Sequence, residues 1–286
     1  MIPLVQAILN GIMAGALLAI PAMGLSAIFA VLRYPNFCIG PLATIGAFAA
    51  WVLNVHYGLG VLPAIGAAFV AAALIGVLVE QFALKRLRPS GALTVAIGSI
   101  AMMIVLENLV RFFFSNDLRS FDTPLVRDWF FWGLRVGPQQ LQTALIALAI
   151  MAMVFGFLLF TRWGKAIRAV ADNPDLARIY RIDPARVAIA TVAMGAGLAG
   201  IGGVLLGLDS AIDPMTGSRM LLPIFAAAVL GGLGSIPGAL LGAIVIGLGE
   251  EISLLFIPPT YRSAIGFVVI LLVLSLRPQG LLGERR

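Results

Sequence analysis

The sequence predicts an all-α fold, a polytopic transmembrane helical bundle with about eight spans and discontinuous helices. Of the 286 residues, 61% are hydrophobic and only 11% are charged, whereas a soluble domain is about 25% charged. Long stretches carry no Asp, Glu, Lys or Arg, and a span needs about 20 apolar residues. A water-soluble enzyme and a disordered chain are therefore excluded. We interpret residues 1–286 as one transmembrane domain.

The stretches between charged residues define the spans. The first, 1–32, is too long for one upright helix, so it must tilt strongly or break, and Pro21 with Gly24 is the predicted place of a break. It lacks the basic start of a signal peptide, so we expect it to remain as the first span. The stretch 34–79 suits two spans with a turn at 54–58. Further spans are predicted at 89–106, 136–161, 187–208, 220–249 and 263–276.

Basic side chains orient these spans, because cytoplasmic loops are enriched in Lys and Arg. They cluster at 85–88, in the loop 162–186 and at the C-terminus. We therefore expect these parts in the cytoplasm, the N-terminus outside, and the loops 121–137 and 209–219 outside. The net charge of +6 lies in these clusters and forms no continuous stripe, which argues against nucleic-acid binding.

Two stretches do not suit a continuous helix. The stretch 35–41, Pro-Asn-Phe-Cys-Ile-Gly-Pro, lies between apolar runs and favours a broken helix, which transporters use for binding and gating. For the glycine-rich stretch 231–238, a broken helix and a tight surface loop both remain open. The candidate pathway residues here are Asn36, Phe37, Cys38, Ile39 and Gly40. The candidate gating residues are Gly231, Gly232, Gly234, Ser235, Pro237 and Gly238.

The sequence lacks the side-chain sets that catalysis needs. Cys38 is the only cysteine and His56 the only histidine, and no P-loop or G-x-S-x-G motif is present. We therefore predict no catalytic residue, metal or cofactor in this chain. An intramembrane enzyme is disfavoured, and energy for uphill transport must come from a partner protein or an ion gradient.

An ion-coupled secondary carrier is the alternative function. Glu107, followed by Asn108, lies in an apolar stretch, and a carboxylate of this kind can serve ion coupling. Both residues belong to the candidate pathway. We nevertheless expect Glu107, and still more Glu80, Glu250 and Glu251, to lie at the membrane interfaces.

The loop 162–186 predicts a short exposed helix. Asn173 is a good N-cap, Pro174 a good first helical residue, and Asp175 complements the helix dipole. A helix of two turns is marginal alone, so the membrane surface or a docked protein must stabilise it. The candidate docking residues are Asn173, Pro174, Asp175, Leu176, Ala177, Arg178, Ile179, Tyr180 and Arg181.

This loop resembles the G-x-A-x-R-A-x-A-x-[DN]-x-x-x-A signature of branched-chain amino-acid ABC importer permeases. The resemblance extends over nearly the whole chain and is closest to the H-type subunit. It includes Asn10-Gly11, 36–40 where the family has N-F-A-H-G, Arg88-Pro89, 94–99, 225–238 and 277–283. It also adds Thr94 and Ser99 to the candidate pathway.

The resemblance implies a permease of the bacterial inner membrane that translocates a small polar solute, most simply a branched-chain or other amino acid. Urea or another short amide, or a small aromatic or hydroxy acid, remains an alternative. It further implies a second homologous permease, expected as a heterodimer, two ATPase subunits that hold ATP and Mg, and a periplasmic binding protein. Residues 173–181 would form the coupling helix that contacts the ATPase.

The sequence departs from the family pattern in two places. Ile39 stands where the family has a histidine, with Cys38 in place of alanine. If this segment lines the pathway, the solute is not necessarily a branched-chain amino acid. Arg181 stands where the family has a glycine, so the natural C-cap of the coupling helix is expected to be lost.

Overall fold

The computed structural model describes residues 2–122, 129–131 and 134–258, together with 266, 268, 271, 273, 275 and 280–282. Its α-helices are α1 (Ile2–Leu32), α2 (Ile39–Tyr57), α3 (Val61–Val79), α4 (Lys85–Leu87), α5 (Ala92–Phe114), α6 (Pro138–Phe160), α7 (Arg162–Asp172), α8 (Pro174–Ile179), α9 (Pro184–Asp209), α10 (Thr216–Gly231) and α11 (Ile236–Ser253). A π-helical turn, Glu80–Leu84, joins α3 to α4, and a 3-10 turn, Arg88–Ser90, leads into α5.

Within the described residues, seven helical segments are long and apolar enough to cross a membrane, and α10 is a shorter apolar helix. The predicted all-α class is confirmed, and the span count agrees roughly with the prediction of about eight. The predicted span 263–276 lies mostly outside the described residues. A small antiparallel hairpin of β1 (Trp129–Phe131) and β2 (Leu134–Val136) was not predicted.

The elements rich in basic residues gather at one end of the bundle, which we call the basic end. The Arg33 guanidinium, after α1, donates to the carbonyl oxygen of Ala171 in α7. Its neighbour Tyr34 donates to Glu80, which is paired with Arg88. The segment 280–282 also lies here, bonded to the end of α10. The basic clusters at 85–88 and 162–186 therefore share one end of the structure, and the C-terminal cluster lies outside the described residues.

The described parts of the loops predicted to lie outside gather at the opposite end. Arg119 forms an antiparallel bridge with Ile212, with N–O distances of 2.8 and 2.7 Å. The Trp51 indole donates to the carbonyl oxygen of Ser120 over 3.1 Å. These bonds fasten the loop after α5 to the loop after α9 and to the end of α2.

Helix α1 runs without a break from Ile2 to Leu32, so the predicted break at Pro21 and Gly24 is wrong. Close packing explains the difference. A Cβ on Gly202 of α9 would lie 2.7 Å from the Pro21 ring, and one on Gly24 would lie 2.6 Å from the carbonyl oxygen of Gly195. Neighbouring helices support a proline inside a membrane helix, and glycine here permits close approach.

The stretch 34–79 forms two helices as predicted, but their turn is 58–60 rather than 54–58. Asn54 stays in α2, donates to Leu59 and accepts from the Asp122 N–H, so it ties the turn to a neighbouring loop. The stretch predicted as one span, 220–249, is instead two helices, α10 and α11, because the chain turns at 232–235.

The order of elements in α1–α3 recurs in α9–α11. Each unit has a long helix, a non-helical segment (33–38 or 210–215), a second helix and a turn that begins Gly-Leu-Gly. The turn sequences are G-L-G-V-L-P at 58–63 and G-L-G-S-I-P at 232–237. Since the two non-helical segments lie at opposite ends of the bundle, the units are inverted copies, an arrangement common in transporters.

The two non-helical segments share a local bond pattern as well. The Asn36 side chain accepts from the Cys38 N–H over 2.9 Å, and the Asp213 side chain accepts from the Met215 N–H over 3.1 Å. In each segment the bonded N–H belongs to the residue just before a helix, where an Asx side chain can satisfy a backbone N–H that would otherwise be free.

The inverted units meet where the first turns of α2 and α10 cross. A Cβ on Gly217 would overlap the carbonyl oxygen of Gly40, and one on Gly40 would lie 2.9 Å from that of Gly217. The Thr44 hydroxyl accepts from the Gly217 N–H over 2.9 Å. This crossing therefore requires glycine from both helices.

We expect Gly217→Val to lower the free energy of unfolding by about 3 kcal/mol, the upper range for overpacking. Equilibrium unfolding in detergent–SDS mixtures measures it. Gly156→Val in α6 is the matched control, because a Cβ there has nothing within 4 Å. Equal stability of the two variants would show that the crossing tolerates a larger residue.

Candidate translocation and coupling sites

The predicted pathway residues at the start of α2 lie mostly inside the protein. Asn36 is 3% exposed, and Cys38 and Ile39 are fully buried. Ile39 belongs to the main hydrophobic core. The position where the family has histidine therefore faces packed side chains in this conformation.

Ser99, which the family resemblance adds to the candidate pathway, contacts this segment. Its hydroxyl accepts from the Phe37 N–H over 3.1 Å, and its carbonyl oxygen lies 3.3 Å from the Cys38 sulfur. Since α5 begins at Ala92, Ser99 lies roughly 10 Å along that helix. The start of α2 is therefore recessed into the bundle from the basic end.

Phe37 is the half-buried member of the segment and reaches α10. Its ring stacks on Phe225 with centroids 4.7 Å apart and planes inclined by 13°. Thr94 takes no part in this contact; its hydroxyl donates to the carbonyl oxygen of Ser90 one turn earlier. The structure therefore brings together 36–40 and Ser99, and leaves Thr94 apart.

Glu107 links α5 to α10 rather than standing free. One carboxylate oxygen accepts from Arg111 at 2.5 Å and the other from the Ser218 hydroxyl at 2.6 Å. Its side chain is 12% exposed. Asn108, the next residue, is exposed and donates to the carbonyl oxygen of Ile104.

A cavity of about 520 Å³ opens at the opposite end, between α1, α6, α9, α10 and α11. Its charged lining comprises Asp209, Arg219, Glu250 and Glu251. Amides, hydroxyls and apolar side chains complete it, among them Asn10, Gln140, Thr143, Met13, Leu17 and Met220. We call it the end cavity. The sequence did not predict it, because its members come from five distant helices.

Arg219 is held at the cavity by Asp213, whose carboxylate accepts from it over 2.6 Å and from the Thr216 hydroxyl over 2.9 Å. Burial alone would raise the pKa of Asp213, but these bonds outweigh burial and hold the pKa below its usual range. Stability from this ion pair is therefore present above the unfolded-state pKa and is lost as the pH falls through the lower folded value.

The glycine-rich candidate gate is a tight turn at the basic end. Gly231 ends α10 and Gly238 lies in the first turn of α11, and their backbones touch so closely that a Cβ on either would overlap the other. The Ser235 hydroxyl caps α11 by accepting from the Gly238 N–H over 3.1 Å. Of the two alternatives for 231–238, the structure agrees with the tight loop.

The predicted short helix is present as α8. The Asn173 side chain caps it by accepting from the N–H groups of Asp175 and Leu176, at 3.1 and 3.0 Å. Leu176, Ile179 and Tyr180 are 51%, 76% and 74% exposed. Three large apolar or aromatic side chains thus face outward on one short helix.

Pro174, Ala177 and Arg178 complete α8. Ala177 is buried, and Arg178 pairs with Asp175 at 3.2 Å.

The C-cap of α8 is formed despite the missing glycine, so the expected loss is wrong. Arg181 takes the left-handed conformation, with φ of 62°. The Ile182 N–H donates to Ala177 and the Arg181 N–H to Arg178, both over 3.0 Å. This is the bond pattern of a Schellman cap, in which glycine is usual because a Cβ is unfavourable there.

Arg181→Gly is therefore expected to stabilise this cap by about 1 kcal/mol, because left-handed backbone costs other residues about that much. Hydrogen exchange at 177–182 should slow about fivefold. Arg178→Gly is the matched control and should speed exchange, since glycine inside a helix is unfavourable. Equal exchange in Arg181→Gly and the wild type would contradict this account.

Sequence reasoning missed a buried ionic cluster at the basic end. Glu80, expected at the membrane interface, has a side chain only 3% exposed. It accepts from the Tyr34 hydroxyl at 2.5 Å and forms an ion pair with Arg88. Glu250, also expected at the interface, is 9% exposed.

These features describe a membrane transport subunit. Its helices form inverted units, a cavity with polar and apolar lining opens at one end, and a short helix with exposed apolar side chains projects at the other. In the described parts of the chain, no group of three or more His, Cys, Asp or Glu side chains could hold a metal ion.

Comparison with known proteins defines the class further. The family described as the permease component of the branched-chain amino acid transport system matches residues 7–274, and the chain belongs to this family of ABC transporter permeases. Such subunits are not enzymes, and their ATPase is a separate component. The ion-coupled alternative is not favoured, and the location is the inner membrane.

Curated relatives match most or nearly all of the chain. BraD of Pseudomonas aeruginosa, a high-affinity branched-chain amino acid transport permease, is 31% identical over 98% of this chain and 95% of its own. LivH of Escherichia coli K12 is 28% identical over the same shares. The ribose import permease RbsC of Escherichia coli K12 is 27% identical over 81% of this chain and 73% of its own.

Solved structures share the fold. PsaBC of Streptococcus pneumoniae, bound to a Fab, superposes with a TM-score of 0.50 at 13% identity, covering 95% of this chain and 92% of that one. An inward-facing ABC transporter of the metal-chelate type gives 0.51 at 15% identity, covering 96% and 87%.

Proposed function

We propose that this permease imports an amino acid with a small aliphatic side chain, and that the end cavity receives it. The mixed lining of that cavity carries the proposal. Asp209 and Arg219 offer opposite charges to an ammonium and a carboxylate, and Met13, Leu17 and Met220 offer apolar contact. A volume of about 520 Å³ lies in the range of small-molecule sites. The names of BraD and LivH support the same solute class.

We further propose that the basic end faces the cytoplasm, as the distribution of Lys and Arg favours. Members of this family work with ATPase and binding-protein components. In this orientation, residues 173–181 would dock an ATPase, and the loops around the end cavity would meet a periplasmic binding protein. A second, homologous permease would complete the importer, with two ATPase subunits that bind ATP and Mg.

Reconstitution tests the function. The assembled importer in proteoliposomes should accumulate radiolabelled leucine only when ATP and loaded binding protein are both present, and unlabelled valine should compete. This chain alone should accumulate nothing. Accumulation by the chain alone, driven by an ion gradient, would contradict the proposal in favour of a secondary carrier. Competition by urea or ribose but not by valine would contradict the solute class.

For the cavity, we expect Asp209→Asn to raise the KM for leucine uptake about tenfold, because an ammonium would lose its charged partner there. Asp117→Asn is the matched control: Asp117 lies in the loop after α5, and its side chain is 70% exposed. Uptake assays over a range of loaded binding protein measure both. An unchanged KM for Asp209→Asn would argue that the solute does not use this cavity.

A further inference from the structure

The segment 33–38 is bonded to α7, the helix that leads into the proposed docking helix. The Arg33 guanidinium donates to the carbonyl oxygen of Ala171, in the last turn of α7. This carbonyl is at a helix C-terminus, where a cation is also favoured by the helix dipole. Arg33 therefore contacts α7 at the end that leads to α8.

Helices α7 and α8 are connected tightly enough for α8 to move this end. Only Asn173 separates them, and its N–H donates to Ala169 while its side chain caps α8. By contrast, the start of α7 is fixed to α6, because Gly164 packs against the backbone of Phe157 and Leu158. A displacement of α8 would thus act mainly on the end of α7, where Arg33 is bonded.

Arg33 is also the first residue of the segment 33–38, which contains the candidate pathway residues Asn36, Phe37 and Cys38. The Tyr34 hydroxyl donates to Glu80. The Phe37 N–H donates to the Ser99 hydroxyl, and the Phe37 ring stacks on Phe225 of α10. These bonds join the π-helical turn after α3, helix α5 and helix α10 to one short stretch of chain. A displacement of Arg33 would therefore alter the contact between α5 and α10.

The backbone at Arg33 adds to this argument. Arg33 has φ of 60°, a left-handed conformation that costs a non-glycine residue roughly 1 kcal/mol or more. Glycine or asparagine would adopt this conformation at lower cost, so the backbone conformation does not explain why this position is an arginine. Its side-chain contact with α7 is a reason for arginine at this position.

Resting on the proposed docking of an ATPase at α8, we infer that Arg33 is the positioning residue that transmits motion of α7–α8 to the segment 33–38. Motion of the docked ATPase shifts α8 and the end of α7. The Arg33–Ala171 bond carries that shift to the start of α2, and through Phe37 to α10. The permease then changes the side to which its pathway is open.

The test is the coupling ratio, leucine taken up per ATP hydrolysed, in the assembled importer reconstituted in proteoliposomes. We expect Arg33→Asn to lower this ratio about tenfold while ATP hydrolysis stays within twofold, because asparagine accepts the left-handed backbone but cannot span to Ala171. Arg33→Lys, which keeps a cationic donor, should recover at least half of the ratio. Arg86→Asn, an exposed cation at the same end, is the control.

The outcomes separate this inference from the proposed function. If the wild type shows no ATP-dependent uptake, the proposed function fails. If the wild type is coupled and Arg33→Asn has the same ratio, the inference fails alone. It also fails if Arg33→Asn lowers hydrolysis, uptake and thermal stability in parallel with an unchanged ratio, because the contact is then purely structural.

Discussion

Arg88→Ala is expected to lower the free energy of unfolding by about 3 kcal/mol, because it leaves the buried Glu80 carboxylate without its cation. The Glu80 side chain is 3% exposed, and Arg88 is 34% exposed. The Tyr34 hydroxyl still donates one hydrogen bond to Glu80, but it supplies no charge. Equilibrium unfolding in detergent–SDS mixtures measures the loss.

Two further variants separate charge from packing. Arg86→Ala removes an exposed cation from the same turn of chain and should change stability by less than about 0.5 kcal/mol. Glu80→Gln added to Arg88→Ala should recover part of the loss, because the neutral amide is cheaper to bury than an unpaired carboxylate. If the double variant is less stable than Arg88→Ala alone, the ion pair is not the cause.

Local chemistry made α8 predictable from sequence. An N-cap, a proline at the first helical position and an acidic residue beside it act over a few residues, so the pattern at 173–175 identified the helix start correctly. The bond from the Asn173 side chain to the N–H of Leu176 is the contact that this pattern implies. The same local logic failed at Arg181, because the Schellman bonds impose a conformation that composition alone disfavours.

Features built from distant helices were beyond the sequence patterns used. Pro21 suggests a break when α1 is considered alone, but its contact with Gly202 lies far along the chain. The partners of Glu80 and the lining of the end cavity are likewise separated in sequence. One signal was available: the two Gly-Leu-Gly turns, at 58–60 and 232–234, would have indicated that the unit is repeated, although not that the second copy is inverted.

The structure shows where the replacement of the family's histidine by Ile39 can act. Its side chain is buried in the core, so in this conformation position 39 acts through packing around the start of α2. Phe37, two residues earlier, reaches α10 instead. Differences in solute preference between this chain and its relatives are therefore better sought at Phe37 and in the end cavity.

Leu176→Asp and Tyr180→Asp are each expected to lower leucine uptake by the assembled importer roughly 30-fold. Both side chains are more than half exposed on the outward stripe of α8. Burying a leucine against a partner is worth about 2 kcal/mol, which corresponds to roughly 30-fold in affinity. Uptake assays and co-purification of the ATPase with a tagged permease measure the two consequences.

Controls distinguish docking from folding. Leu176→Met keeps an apolar side chain and should retain uptake within twofold, whereas both Asp variants should still be inserted and as stable as the wild type, since neither side chain packs in the core. Ala177, in contrast, is 3% exposed, so its replacement would disturb α8 itself. Full uptake by both Asp variants would mean that the exposed stripe is not the docking surface. The ATPase would then have to engage another part of the basic end, and the path from α8 through Arg33 would lose its starting point.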